Sequence, residues 1–196
     1  LCVQCHKDFM KTAEGGVDHM PFAGGMCLSC HDPPGSNVKG MAANALGPLC
    51  GSCHDQSEKQ ATSARIRHKP VAASECTQCH SPHKSANAKL LKISADKLCF
   101  ECHDKADFKG KSTHAPVEGG ECTGCHDPHK SGNAKLLSKP VNELCLGCHS
   151  AADLAKNAKH PDSDNAACTK CHSPHRSDNA ALLKVKAADG NEGAAQ

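Results

Sequence analysis

The chain has 196 residues, with 23 Lys and Arg against 21 Asp and Glu and a formal net charge of +2. Its four Phe, with no Trp or Tyr, leave too few aromatic side chains to fill an interior or to stack on nucleic acid bases. Sixteen Cys and fifteen His indicate instead a disulfide scaffold, a metal protein or covalently attached haem.

All the cysteines fall in CXXC pairs, and a histidine follows each pair directly. In chain order the pairs are Cys2/Cys5, Cys27/Cys30, Cys50/Cys53, Cys76/Cys79, Cys99/Cys102, Cys122/Cys125, Cys145/Cys148 and Cys168/Cys171. The histidines that close them are His6, His31, His54, His80, His103, His126, His149 and His172. In c-type attachment the two thiols form thioethers to the porphyrin, and the adjacent imidazole binds the iron as proximal ligand. The spacing therefore predicts eight covalently bound haem c groups.

Zinc and disulfides are the other interpretations of these cysteines. Nineteen residues separate Cys30 from Cys50, and the same gap recurs in the next two repeats, as in a zinc ribbon. A closed site of four thiolates, however, has no use for a histidine after every second cysteine. Adjacent CXXC pairs are more often redox-active than structural, which disfavours a disulfide framework.

The other seven histidines stand in a fixed register to the motifs. Four lie eight residues before a motif cysteine, and three lie three residues after a motif histidine in an x-Pro-His sequence. A surface position is the ordinary interpretation of one such histidine, but the repeated register favours iron ligands. The predicted distal ligands are His19, His68, His83, His114, His129, His160 and His175. An iron bound by two histidines exchanges electrons but has no open position for a substrate.

The motifs form tandem repeats with a period of 46 residues. We expect a single multihaem domain over residues 1–196, made of a half repeat 1–18, repeats 19–64, 65–110 and 111–156, and a half repeat 157–196. A segment this short cannot bury an apolar face alone, so neighbouring haems should supply the shared core. The predicted fold has little regular secondary structure, with short α-helices and long loops wrapped around a chain of eight haems.

Local signals add a few expected helix boundaries. Polar residues that should cap helices at the "AKLL" segments are Ser85, Asn87, Ser131 and Asn133. Ser94 or Asn142 should start the helical turn that presents "LCFECH" or "LCLGCH". Pro70 and Pro116 lie two residues after a histidine of the register, and Pro161 directly follows one. These prolines are expected to keep their segments extended. No strand-like alternation stands out.

With "CHSPHKSANAKLL" followed by "KLCFECHD", the chain resembles the paired-CXXCH multihaem cytochromes c over nearly its whole length. The resemblance implies electron transfer along closely spaced haems. Members include periplasmic electron donors to reductases, decahaem cytochromes threaded through outer-membrane porins and, more loosely, extracellular cytochromes that polymerise into filaments. We therefore expect redox proteins as partners. The chain is expected to assemble either with further copies of itself in a head-to-tail filament or with an outer-membrane porin and an outer cytochrome. No nucleic-acid partner is expected.

The haems also bear on location and charge. Because haem is attached to CXXCH outside the cytoplasmic membrane, we expect an exported protein, in the periplasm or at the cell surface, whose signal peptide has been removed. No apolar run is long enough to span a membrane. Sixteen haem propionates should make the loaded protein acidic. Lys84, Lys130 and Arg176, each directly after an x-Pro-His histidine, either pair with propionates or face water.

Eight irons need sixteen axial ligands, and the chain has fifteen histidines. The first repeat reads "CLSCHDPPGS", with Pro34 where later repeats carry the x-Pro-His histidine. If each x-Pro-His serves the preceding "LCXXCH" haem, the haem of His6 lacks a second histidine. If it serves the following one, the haem of His54 lacks it, and His175 is available to a neighbouring copy. Met20 and Met26 are candidates for the eighth distal ligand, with packing as the alternative.

Two functions follow from this count. The protein is expected to be an electron carrier and not an enzyme. The alternative is a multihaem reductase that acts on a small nitrogen or sulfur oxyanion at the one incompletely ligated haem. About 25 residues per haem leave little protein to shape a substrate pocket, which favours the electron carrier.

Overall fold

A computed structural model describes residues 1–11, 15–54, 66–156, 160 and 167–185. The chain divides into two compact units, one made of Leu1–Leu98 with Asp127–Leu136 and the other of Cys99–His126 with Leu137–Gln196. Each unit thus combines segments from more than one repeat. The expectation of a single multihaem domain stays a prediction.

Helices in the described residues are at most six residues long. The α-helices are Cys2–Cys5, Met20–Ala23, Leu46–Gly51, Lys69–Ala72, Cys76–Cys79, Ala95–Leu98, Ala115–Glu118, Val141–Leu146, Ala151–Ala155 and Cys168–Cys171. Single 3₁₀ turns lie at Cys27–Ser29, Cys99–Glu101, Lys105–Phe108 and Cys122–Gly124. These bounds confirm the predicted short helices joined by loops. None of the described helices has the length and hydrophobicity needed to span a membrane.

The proline segments differ from the prediction. Lys69–Ala72 and Ala115–Glu118 are helical, and each has its proline in the first turn. Proline is tolerated there because its missing N–H would have no intrahelical partner anyway. The extended residues are the histidines themselves, since His68 and His114 precede the helices with ψ of 138° and 132°. Pro161 lies outside the described residues. Ser94 directly precedes Ala95–Leu98, whereas the helix near Asn142 begins one residue earlier, at Val141.

Three antiparallel ladders of two residues link different repeats. Strands β1 (Val17–Asp18) and β3 (Lys84–Ser85) pair in the first unit, as do β2 (Ile66–Arg67) and β5 (Lys130–Ser131). In the second unit β4 (Ser112–Thr113) pairs with β6 (Arg176–Ser177). One strand of each ladder leads directly into a His-x₇-CXXCH segment, and the other directly follows an x-Pro-His sequence. Each ladder therefore brings two predicted distal ligands together.

The "AKLL" segments are left-handed turns and not the capped helices that we expected. Lys89 and Leu90 have φ of 55° and 57°, and the N–H of Leu91 donates to the Ala88 carbonyl at 3.2 Å, as in a type I′ turn. The other repeats have consecutive positive φ angles at Gly40/Met41, Lys135/Leu136 and Ala181/Leu182. A side chain in this conformation costs roughly 1 kcal/mol. Such turns at Lys, Ala and Leu require support from the surrounding structure.

A conventional hydrophobic core is lacking in the described part of the chain. Ala42 is the single apolar side chain there that counts as buried, at 8% exposed, and no large side chain is fully enclosed. The four loops that follow the first motif of each repeat instead close on themselves, with bridges His31 to Ala42, His80 to Leu91, His126 to Leu137 and His172 to Leu183. The polypeptide alone thus buries very little apolar surface.

Candidate haem ligation sites

All eight CXXCH motifs share one local geometry. The N–H of each motif histidine donates to the carbonyl oxygen of the first cysteine, at 2.8 to 3.0 Å. Residues three apart in a helical turn lie on the same face, so this turn places both thiols on one side. All sixteen cysteines are at least partly exposed. Each motif can therefore present two thiols and one imidazole to a flat group beside it.

Six of the predicted thioether cysteines are exposed and not enclosed in a site built by the protein. They are Cys2, Cys5, Cys53, Cys102, Cys148 and Cys171. Their exposure disagrees with a cofactor site whose walls are polypeptide alone. Attachment of a porphyrin requires only that the thiol be accessible on the side of the motif that the imidazole faces. Thioether bonds at these six positions stay a prediction.

Cys53, Cys102 and Cys148 share one local feature, although Cys171 is exposed without it, since the Lys184 N–H donates to the Cys171 carbonyl at 2.8 Å. Each is the second cysteine of the second motif in its repeat, and no backbone N–H from a later segment of the described chain reaches its carbonyl. After the first motifs, by contrast, the chain folds back, and the N–H groups of Ala43 and Lys92 donate to the carbonyls of Cys30 and Cys79 at 2.8 and 2.9 Å. The returning loop partly covers these first-motif cysteines. The second motifs, including the exposed His54 and His103, lack that cover.

The histidines come together in facing pairs. Ring centroids lie 5.8 to 6.1 Å apart, with ring planes 12° to 35° from parallel, in the six pairs His19/His54, His31/His83, His80/His129, His114/His149, His126/His175 and His160/His172. Each pair joins one motif histidine to one histidine that the register marks as a distal ligand. Every pair lies within one of the two units.

The spacing of these pairs fits a metal ion between two imidazoles. With metal–imidazole bonds of about 2 Å, two coaxial ligands have nitrogens about 4 Å apart and ring centroids about 6 Å apart. His31 and His83 have centroids 5.8 Å apart and Nε2 atoms 3.5 Å apart, so their rings point at each other nitrogen to nitrogen. No cluster of three or more Cys, His, Asp or Glu in the described residues could hold a metal alone. Two imidazoles suit an iron that takes its other four ligands from a porphyrin.

The proximal histidines are oriented by the left-handed turns. Nδ1–H of His31, His80 and His172 donates to the carbonyl oxygens of Gly40, Lys89 and Ala181, at 2.8 to 2.9 Å. In each case the acceptor is the first left-handed residue of the turn. A donor bond at Nδ1 selects the tautomer with a free lone pair on Nε2 and raises its basicity toward a metal. The turn is thus a second layer of support for the iron ligand.

The distal histidines are oriented by the ladders. His19 donates its backbone N–H to the His83 carbonyl at 2.8 Å and its Nδ1–H to the Pro82 carbonyl at 2.9 Å. His68 makes the same two bonds to His129 and Pro128, at 3.0 and 2.9 Å. The N–H of His114 donates to the His175 carbonyl at 3.0 Å. These Nδ1 bonds favour the tautomer in which Nε2 of His19 and His68 carries the lone pair that can bind a metal.

Burial keeps three distal imidazoles neutral. Loss of water lowers the pKa of His83, His129 and His175, and the histidine that faces each one lowers the pKa further. Only a neutral imidazole offers a lone pair to iron. The environment therefore favours the protonation state that ligation requires.

The family comparison agrees with this geometry. A sequence model of the doubled CXXCH motif matches residues 19–59, 68–108, 114–154 and 160–193, which is most of the chain. The chain belongs to this family. It is a multihaem c-type cytochrome with covalently bound haems, a class that transfers electrons. No match was found among the curated proteins.

The pairs in this cytochrome differ from both pairings considered from the sequence. His83 faces His31, and neither His54 nor the next "LCXXCH" histidine. His129 and His175 likewise face His80 and His126, the first-motif histidines of the preceding repeat. His19 and His114 face the second-motif histidine 35 residues later in their own repeat. Neighbouring repeats thus complete each other's ligand sets.

The fourth repeat departs from this rule. His160 faces His172, only 12 residues later. His6 faces no histidine among the described residues. Met20 and Met26 are 82% and 56% exposed, and their assignment as an eighth distal ligand stays a prediction.

This pairing bears on the meaning of Pro34. The histidines at the equivalent position of the later repeats, His83, His129 and His175, face the first-motif histidine of the preceding repeat. All four first-motif histidines therefore have a facing partner, although Pro34 stands at this position in the first repeat. That Pro34 marks an incompletely ligated haem stays a prediction.

The left-handed turns are held by serine and asparagine side chains, among them Ser85 and Asn87, which the sequence assigned to helix caps. Ser177 Oγ donates to the Leu183 carbonyl and accepts from the Asn179 N–H at 2.9 Å, while the Asn179 amide donates to the same carbonyl at 3.1 Å. Ser85 and Asn87 make the same contacts to Leu91. The first repeat keeps the serine contacts through Ser36 but has Val38 at the asparagine position. Gly40 was the sequence signal for this turn, because glycine favours positive φ.

Replacement of Ser177 by Ala should destabilise the protein by about 1 to 2 kcal/mol, because a residue only 8% exposed would lose both bonds and leave a backbone donor and acceptor poorly satisfied. Chemical unfolding of the haem-loaded protein measures this loss. Ser173→Ala is the matched control, since the Ser173 hydroxyl has no hydrogen-bond partner among the described residues, and it should change stability by less than about 0.5 kcal/mol. Equal losses in the two variants would contradict a specific role for Ser177.

Two cations predicted to pair with propionates or face water contact backbone carbonyls, and their pairing with propionates stays a prediction. Lys84 Nζ donates to the carbonyls of Phe9 and Lys11 at 2.6 and 2.5 Å, and Arg176 Nε donates to that of Asp107 at 3.0 Å. Each cation follows an x-Pro-His histidine and reaches the segment after a CXXCH motif. These bonds anchor that segment beside a distal ligand.

Proposed function

We propose that the protein is an octahaem cytochrome c that carries electrons along closely spaced haems, most of them bound by two histidines. The count rests on eight CXXCH motifs, and the ligation rests on the facing histidine pairs. Haem iron supplies a one-electron couple whose potential depends on its axial ligands and their surroundings. The chain's own task is to hold the irons close together and to keep both axial positions filled.

The observation that carries this proposal is the direct link between ligands of different haems. His19 and His83 belong to different pairs, yet a hydrogen bond of 2.8 Å joins their backbones. His114 and His175 are joined in the same way at 3.0 Å, and they too belong to different pairs. Adjacent ligands on a two-residue ladder place their haems side by side. Such an arrangement suits transfer from haem to haem.

Filled axial positions argue against an enzyme. In each facing pair the two imidazoles occupy both sides of the metal position, so a substrate has no place to bind. The reductase remains the second candidate because His6 has no facing histidine among the described residues. Its haem is therefore a place where a small oxyanion could reach the iron.

Location and partners follow from the cofactor. Covalent attachment of haem to CXXCH outside the cytoplasmic membrane supports a periplasmic or cell-surface protein. Its partners would be redox proteins that donate and accept electrons. A head-to-tail filament of the chain and a complex with an outer-membrane porin are the two assemblies that this reading supports. Light scattering separates the two assemblies by molar mass. A filament-forming chain gives the mass of a polymer, whereas a chain that joins a porin complex is a monomer when isolated.

The haem-loaded protein should contain eight haems per chain and give low-spin spectra, because paired histidines produce six-coordinate iron. Intact mass and a pyridine haemochrome assay measure the count, and carbon monoxide binding to the reduced protein measures open positions. At most one carbon monoxide per chain is expected, at the haem of His6. Carbon monoxide binding at several haems would contradict the electron-carrier proposal. Steady turnover of nitrite or sulfite by the reduced protein would favour the reductase.

A further inference from the structure

The aromatic side chains of this protein are gathered at two distal ligands. The chain has four Phe and no Trp or Tyr. Phe9 and Phe22 contact the His83 ring at centroid distances of 4.9 and 5.4 Å, and they contact each other at 5.3 Å. Phe108 contacts the His175 ring at 5.2 Å, with Phe100 behind it at 5.7 Å. Every aromatic ring outside histidine thus belongs to one of two clusters.

A cation accompanies each cluster. Lys84 Nζ lies 5.2 Å from the centroid of Phe9 while it donates to the Phe9 carbonyl. Arg176 donates to the carbonyl of Asp107, the residue before Phe108. Lys105 Nζ lies 5.3 Å from the centroid of Phe100. The two clusters lie in different units, so the same combination of ring, cation and distal histidine occurs twice independently.

The third x-Pro-His ligand has a different environment. No phenylalanine remains for His129, because the other two clusters use all four. Its backbone N–H instead binds a carboxylate, Asp127 Oδ1, at 2.8 Å. The second and fourth repeats have Ser81 and Ser173 at that position. Three ligands of one sequence class are therefore placed in two kinds of surroundings.

These surroundings act on the charge of the iron. The oxidised iron carries one more positive charge than the reduced iron, so apolar cover and a nearby cation disfavour the oxidised state. A nearby carboxylate favours it. A cation follows all three ligands, as Lys84, Lys130 and Arg176. The difference lies in the phenylalanine rings at His83 and His175, which act in one direction, and in Asp127, which acts in the other.

We propose that the two phenylalanine clusters set reduction potentials, so that the haems of His31/His83 and His126/His175 are easier to reduce than the haem of His80/His129. Phe9, Phe22 and Phe108 are positioning residues in this proposal, since they act through a ligand and touch no substrate. The inference rests on the proposed electron-carrier function and deepens it. Electrons would be held preferentially at one haem in each unit.

Spectroelectrochemical titration of the haem-loaded protein tests the proposal. In the Phe9→Ala/Phe22→Ala variant, the ferrous to ferric ratio of one haem in eight should fall by about tenfold at a fixed potential, which is 59 mV for a one-electron couple. Phe108→Ala should do the same to a different haem. Leu154→Ala is the matched control, because Leu154 stands at the position of Phe108 in the third repeat, five residues after a motif histidine. Its titration curve should match that of the wild type.

Asp127→Ser gives an independent arm, because it touches neither cluster and places the residue of the neighbouring repeats there. It should raise the potential of the haem of His80/His129. Low-spin spectra with unchanged potentials in the phenylalanine variants would overturn the proposal. If the phenylalanine variants lose haem, the titration of Asp127→Ser decides. An unchanged reduction potential of the His80/His129 haem in that variant would likewise overturn the proposal. High-spin wild-type protein would instead contradict the electron-carrier function itself.

Discussion

A chain in which all sixteen cysteines are replaced by Ala should show no cooperative unfolding transition and a disordered far-UV spectrum. Fixing the backbone of each residue costs about 1 to 2 kcal/mol in conformational entropy. Apolar burial, at about 25 cal/mol per Å², normally offsets that cost. Here Ala42 is the single buried apolar side chain of the described residues. The polypeptide therefore has almost nothing of its own to stabilise the fold.

Circular dichroism and limited proteolysis of the haem-free and haem-loaded chains measure this difference. Cys2→Ala/Cys5→Ala is the matched control, since it removes one haem at a motif whose histidine faces no partner among the described residues. That variant should keep a cooperative transition with seven haems. A sharp thermal transition in the fully haem-free chain would show that the protein folds without its cofactor.

The facing histidines belong to the two classes that the sequence defined, while their role as iron ligands stays a prediction. Period, motif and register depend only on residue types at fixed spacing, which is why each facing pair consists of one predicted proximal and one predicted distal histidine. The short helices follow from the same pattern, because a CXXC pair is one helical turn and the glycines and prolines nearby prevent longer ones.

The pairing of ligands was not predictable in this way. The approach of His83 to His31 depends on a ladder between β1 and β3, and strands of two residues are too short to show any alternation of polar and apolar side chains. The partners also lie in different repeats, at a separation that no local propensity can encode. Both pairings drawn from the sequence joined other members of the same two classes.

The exposure of cysteines was likewise invisible in the sequence. First and second motifs have the same CXXCH spacing, so Cys53, Cys102 and Cys148 look equivalent to Cys30 and Cys79. A loop returns to the first motif and contacts Cys30 and Cys79, which are partly covered, but the same loop contact leaves Cys171 exposed. Spacing alone therefore identifies the attachment residues without showing which of them the protein covers.

The left-handed turns were missed for a different reason. Serine and asparagine before an apolar run are the usual signal of a helix N-cap, and Lys89 and Leu90 are good helix formers. Side-chain hydrogen bonds from Ser85 and Asn87 to the Leu91 carbonyl overrode that helical preference. Gly40 aligns with Lys89, Lys135 and Ala181, and a glycine at this position is a signal for positive φ. One repeat of the four carries that signal.

Replacement of His83 by Ala should convert one haem of eight from low-spin to high-spin iron and make it bind carbon monoxide. His83 faces His31 with 3.5 Å between the Nε2 atoms, so its loss leaves His31 as the single protein ligand of that iron. His83→Met is the matched variant, because a thioether keeps the iron six-coordinate and raises its potential. It should remain low-spin and bind no additional carbon monoxide.

The identity of the affected haem decides between the structural pairing and the pairings drawn from the sequence. In a Cys27→Ala/Cys30→Ala background the haem of His31 is absent, so His83→Ala should add no carbon monoxide site. In a Cys50→Ala/Cys53→Ala background the haem of His54 is absent, and the same replacement should still open one site. The reverse result would mean that His83 binds the iron of His54. The pairing of ligands between neighbouring repeats could then not be the basis of electron transfer along the chain. Each x-Pro-His histidine would bind the iron of a second motif and not that of the first motif that the ladders place against it.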